Sequence, residues 1–133
     1  MRMLLEVEGK RPEQVREFSK IEAALRELNN SNPHSYANLT RQDGSYVQVA
    51  GEKKKYLIER RDFVDKLHWR AHLKTASLMS DAPQIIVCGA GQITVSADEI
   101  FSIEDVVSIW RSFFQNEPFA SYIMWRSMAK ILR

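Results

Sequence analysis

The stretch that decides the fold is Asp43-Gly44-Ser45-Tyr46-Val47-Gln48-Val49-Ala50-Gly51, followed by Tyr56-Leu57-Ile58-Glu59-Arg60. Gly44 supplies the positive φ that a tight hairpin needs. From Ser45 to Ala50 polar and apolar residues alternate, which puts Val47 and Val49 on one face of a strand. Tyr36 to Arg41 reads as the strand before the turn. Tyr56 to Arg60 reads as the strand after a second turn made by Gly51 and the lysines that follow it. Connections this short join antiparallel neighbours.

Further β signals lie outward from this core. Residues 66–73 alternate Leu67, Trp69, Ala71 and Leu73 against Lys66, His68, Arg70 and His72, which predicts a fourth strand, with a helix as the competing reading. After Pro83, Ile85-Ile86-Val87-Cys88 and Ile93-Thr94-Val95 flank a Gly89-Ala90-Gly91 turn. Residues 2–8, around Leu5 and Val7, predict an opening strand, and Tyr122 to Met128 a short final one.

Two helices complete the pattern. Val15, Phe18, Ile21, Leu25 and Leu28 recur at helical spacing. Pro12-Glu13 and the capping box Ser19-Lys20-Ile21-Glu22 compete as its start, and Ser19 is the preferred one. Asn29 to Pro33 ends it. The second helix opens at Ser102 with Glu104 and Asp105 in its first turn. It carries the stripe Ile103, Val106, Val107, Trp110, Phe113 and Phe114 and stops before Pro118. The expected fold is α+β: a mainly antiparallel sheet with helices near 19–29 and 102–115 packed on it, in one domain over residues 1–133.

Composition agrees with a globular chain. The 133 residues are 44% hydrophobic and 27% charged, with few Gly and Pro. Apolar runs are too short to span a bilayer, and Glu6 and Glu8 come too early for a signal peptide. One cysteine, Cys88, excludes an intrachain disulfide framework and fits a reducing, cytoplasmic setting. The net charge of +2 is too small to indicate nucleic acid by itself. Its distribution says more. No Lys or Arg occurs between Thr75 and Trp110, a segment that holds Asp81, Asp98, Glu99, Glu104 and Asp105. The densest basic run, Lys53-Lys54-Lys55 with Arg60-Arg61, lies elsewhere.

Chemical motifs are weak. Gly89-Ala90-Gly91 lacks the third glycine of a dinucleotide loop, where Thr94 stands, and precedes a strand rather than a helix. There is no Walker loop. His68 and His72 are four apart, but zinc needs further ligands and a metalloprotease helix needs Glu where Trp69 stands, so two surface histidines on a strand is the better reading. His34 has no evident partner. Glu8-Gly9-Lys10 lacks the acidic partner of a nuclease motif. Cys88 has no basic flank to activate it and reads as a structural, buried thiol. No nucleophile elbow supports a Ser–His–Asp site. Aromatic residues interleaved with Lys53–Lys55 and Arg60 could stack on bases, so a nucleic-acid-binding module using residues 53–61 is the alternative function.

Three stretches carry a family resemblance: Ile21-Glu22-Ala23-Ala24-Leu25-Arg26-Glu27-Leu28; Ser45 to Gly51 with Tyr56-Leu57-Ile58-Glu59; and Ile100-Phe101-Ser102-Ile103-Glu104-Asp105-Val106 with Trp125-Arg126. In these the chain resembles the small immunity proteins of bacterial polymorphic-toxin and contact-dependent growth inhibition systems, of the Imm-one type. The resemblance implies a non-enzymatic cytoplasmic protein without cofactor or metal. Its partner would be the C-terminal domain of a cognate toxin, a nuclease or deaminase, whose active site it covers. Neither a membrane nor nucleic acid is the expected partner, and a homodimer is one of the states the reading allows. Asp98, Glu99, Glu104 and Asp105 are the candidate toxin-binding residues. They lack nearby bases in sequence and cluster at a turn and a helix start, where exposure is expected.

Overall fold

A computed structural model of the chain describes residues 2–28, 35–52, 55–63, 66–73, 84–88 and 91–128. The helix stop at Asn29–Pro33, His34, Lys53, Lys54, Asp81, Pro83, Gly89 and Ala90 lie outside these residues, as does the Cys88 side chain.

Seven strands form one antiparallel sheet. They are β1 (Met3–Val7), β2 (Glu13–Val15), β3 (Tyr36–Thr40), β4 (Tyr46–Glu52), β5 (Lys55–Asp62), β6 (Leu67–Leu73) and β9 (Ile123–Ser127), in the spatial order β2-β1-β3-β4-β5-β6-β9. A hairpin of β7 (Gln84–Cys88) and β8 (Gly91–Val95) forms a separate two-stranded sheet. The helices are α1 (Phe18–Arg26) and α2 (Ile103–Gln115). The fold is therefore α+β, and apart from β2 its strands and helices lie where periodicity places them.

The β3–β4 turn forms for the reason read from its residues. Gly44 has φ +95°, the Asp43 carboxylate accepts the Ser45 N–H at 2.8 Å, and the Gly44 N–H donates to the Arg41 carbonyl at 3.0 Å. A Cβ at Gly44 would also meet the Phe63 ring at 2.9 Å. This turn fixes the register Leu39↔Val47 and Ala37↔Val49. The same face then collects Leu5, Val7, Ile58, Ala71 and Ile123, and both helices pack on it. Trp110 is fully buried there, as its stripe predicts.

The start of α1 differs from expectation. Its N-cap is Glu17, no side chain caps it, and Ser19 lies exposed in its first turn. The cause is β2, three residues whose pattern is too short to read. Val15 pairs with Met3 and is buried, so it belongs to the sheet rather than to the helical stripe. Phe18 then packs on Phe114 with ring centroids 5.8 Å apart, and this contact sets the helix entry. By contrast α2 opens as expected. Ser102 Oγ accepts the Asp105 N–H at 3.2 Å, and Asp105 accepts the Ser102 N–H at 3.3 Å. It closes on Asn116 in the left-handed region, φ +55°, before Pro118 is reached.

One irregularity prepares the opposite face. Pairing between β5 and β6 stops at Glu59↔Arg70, although both strands continue. Beyond it Phe101 pairs with Tyr56, exchanging hydrogen bonds of 2.8 and 3.1 Å. The chain leading to Phe101 makes a 3-10 turn over Ala97–Glu99 that lies against β6. The β7–β8 hairpin thus rests on the sheet face that the helices leave uncovered, through Leu57, Ile86 and Val95.

Candidate functional site

On that second face the strand registers align a row of polar side chains: Glu6↔Asn38, Asn38↔Gln48, Gln48↔Glu59, Glu59↔Arg70 and Arg70↔Arg126. Each is the pleat neighbour of a core residue, so the alternation that buries Val47, Val49, Ile58 and Ala71 aims this row away from the helices.

Glu59 is its centre. Its Oε1 accepts from Gln48 Nε2 at 2.8 Å and lies 3.2 Å from His68 Nε2, while Oε2 accepts from Arg70 Nε at 2.8 Å. Burial alone would push the Glu59 carboxyl up. The hydrogen bonds from His68 and Arg70, helped by the charge of Arg70, outweigh it and hold the group below the usual carboxylate range. Tyr46 OH stands 3.5 Å from His68 Nδ1.

Arg70 and Arg126 are directly opposite across β6 and β9, a repulsive pairing if left alone. Glu99 relieves it by taking Arg126 at 2.6 Å and Arg70 at 3.5 Å. Asp98 Oδ2 accepts from Arg126 at 3.1 Å and lies 3.6 Å from His72, while Oδ1 is buried and unpartnered among the described residues. Arg70 also donates to the Thr94 carbonyl of β8 at 3.2 Å. The network ties the hairpin and its 3-10 turn to the sheet.

Two expectations are corrected here. Asp98 and Glu99 are not surface acids: they are 8% and 3% exposed. The bases missing from their own segment arrive from β6 and β9. His68 is likewise buried, at 6%, rather than on the surface, because Tyr46 and Glu59 flank it. Glu104 and Asp105 sit apart, at the start of α2. Glu104 is 71% exposed at its side chain and pairs with Arg26 at 2.8 Å. That guanidinium keeps the Glu104 carboxyl below its ordinary value. Asp105 is half-buried, completes the helix cap and accepts the Tyr122 hydroxyl at 2.9 Å.

A cleft of about 200 Å³ opens between the row and the hairpin, lined by Tyr36, Asn38, Gln48, Ala50, Leu57, Glu59 and Ile93 among others. None of these is among the four candidate acids, although Gln48, Ala50, Leu57 and Glu59 lie in the stretches that carry the family resemblance. The signal that could have found them is the β3–β4 turn itself, since its register puts Gln48 opposite Asn38 on the face away from the valines.

Arg60 points the other way, into the helix-side layer. Its guanidinium lies 4.6 Å from the Trp125 ring centroid, near Trp69 and Phe119 as well, and is bonded twice to Asp62. Among the described residues no set of three or more His, Cys, Asp or Glu is arranged to hold a metal ion, and no helix is long and apolar enough to cross a membrane. No protein-family model matches the chain, and no curated protein matches it.

Proposed function

We propose that the chain is a non-enzymatic immunity protein that binds a cognate bacterial toxin domain, a nuclease or deaminase, in the cytoplasm and neutralises it by covering its active site. The observation that carries this reading is the way the titratable groups are used. Glu59, His68, Arg70, Glu99, Asp98 and Arg126 are bound to one another and to the hairpin. Groups held in such a tie give shape to a surface. The half-exposed residues beside them, Tyr36, Asn38, Thr40, Tyr46 and Gln48, are of the aromatic and adaptable polar types that serve recognition. Exposed Tyr122 and Met124 at the β9 edge extend the offered surface. Of the four candidate acids, Glu104 is the exposed one, and we propose it as a contact for a basic partner.

The nucleic-acid alternative rested on the basic run 53–61. Arg60 is committed to Asp62 and three aromatic rings, and Lys55 donates to Gln84 at 3.2 Å. Among the described residues of that run, Arg61 is left for phosphate. The experiment that separates the two readings is co-expression with the toxin domain encoded beside this gene, together with titration of the purified chain with single-stranded nucleic acid. Protection and a stoichiometric complex support the proposal. Salt-dependent nucleic-acid affinity without protection supports the alternative.

A further inference from the structure

The geometry points to the cleft between the polar row and the β7–β8 hairpin as a receptacle for one basic side chain, arginine or lysine, presented by a partner protein. This inference rests on the reading that the chain acts by binding a protein, and it names the chemistry of the contact.

Size comes first. About 200 Å³ is less than the roughly 300–1,000 Å³ of pockets that enclose small-molecule ligands. It suits a single long side chain. The lining is divided in the manner such a side chain requires. Ala50, Leu57 and Ile93 form apolar wall against which an aliphatic stem can lie. Glu59, Gln48, Asn38 and Tyr36 supply the polar part.

The polar part is rich in acceptors. Gln48 spends its amide N–H on Glu59, so its own carbonyl oxygen has no partner among the described residues. The Asn38 amide and the Tyr36 hydroxyl are likewise uncommitted there. Glu59 Oε2 accepts one hydrogen bond, from Arg70, and a carboxylate oxygen can accept another. A guanidinium or ammonium brings only donors, which is the complement of this lining.

Charge points the same way. The cluster sets three carboxylates, Glu59, Asp98 and Glu99, against two guanidinium groups, Arg70 and Arg126. Of these only Glu59 lines the cleft. A cation entering there meets a carboxylate that attracts it, whereas an anion would be repelled.

The test uses the full chain and small probes, so it does not depend on the toxin. n-Butylguanidinium and n-butylammonium are titrated into the labelled protein while the side-chain amide signals of Asn38 and Gln48 are followed by NMR, with n-butylurea as the neutral isostere. The cations are expected to shift both signals saturably, and the urea to bind at least about tenfold more weakly, because it lacks charge-assisted hydrogen bonds. Ala50→Phe, which fills the cleft, should abolish the shifts. Asn38→Asp, which leaves the packing alone, should tighten cation binding severalfold. Equal binding of the urea, shifts that survive in Ala50→Phe, weaker binding in Asn38→Asp, or a response to acetate rather than to the cations would each overturn the inference. Saturable cation binding in a protein that fails to protect cells would leave the cleft standing and remove the immunity reading. Protection without cation binding would remove the cleft alone.

Discussion

At Glu59 three hydrogen bonds converge on a carboxylate that burial disfavours, and those from His68 and Arg70 hold its pKa below the ordinary 4.5. The consequence for stability has a definite sign. A carboxyl group whose folded pKa is depressed contributes stability above its unfolded value and loses it as pH falls through the lowered folded value. Denaturant unfolding of the parent and of Glu59→Gln should therefore differ most near neutrality, and the difference should shrink as pH drops below about 4.5. A gap that stays constant down to pH 3 would show that the carboxylate charge is not what the site uses. Trp110 illustrates the other kind of residue. It is fully buried between the helices and the sheet, so Trp110→Ala should cost about 3–5 kcal/mol in the same assay. Its burial follows from the helical stripe alone, because helix periodicity is local. The burial of Asp98 and Glu99 does not. Their partners, Arg126 and Arg70, stand 27 to 29 positions away along the chain, and no local pattern announces a contact at that separation.

Among the elements, those fixed by short-range chemistry are the ones the residues reveal. The Asp43-Gly44 turn specifies its hairpin, and the Ser102–Asp105 box specifies the start of α2. Loss of that cap in Ser102→Ala should lower stability by about 0.5–2 kcal/mol. The three-residue β2 is too short for alternation to show, and the Ser19 box yields to it because the edge strand sets where the helix can begin. The 3-10 turn is the element on which the acidic candidates divide. Glu99→Lys places a third cation between Arg70 and Arg126, and breaking a buried ion pair from one side costs about 3–5 kcal/mol. The expected outcome is faster amide exchange across residues 84–88 and 91–101, with α1 keeping its protection. Glu104→Lys removes an exposed pair with Arg26 and a first-turn acid of α2. It should lower stability by no more than about 1 kcal/mol, the scale of a surface charge at a helix N-terminus, and slow association with a basic partner at low salt. Equal destabilisation by the two variants would contradict the division drawn here.

For the molecule as a whole, the sheet, its antiparallel pairing and the two helices were legible because each follows from periodicity and turn chemistry. Of the candidate acids, Glu104 is exposed at the start of α2, as its sequence setting implies, while Asp105 beside it is half-buried in the cap. The cleft and the polar row required the register of six strands, β1, β3, β4, β5, β6 and β9, which alternation in any single strand cannot supply. The two faces of the sheet divide the work: one buries the core under the helices, and the other presents a polar surface whose charged groups are tied to a hairpin. The proposed role of this surface is to bind and silence one toxin domain. The most direct measurement is survival of cells expressing the neighbouring toxin domain with and without this chain, read alongside recovery of the complex by gel filtration. Survival and a stoichiometric complex are the expected result. Cell death in the presence of well-expressed, folded protein, with no complex formed, would contradict it.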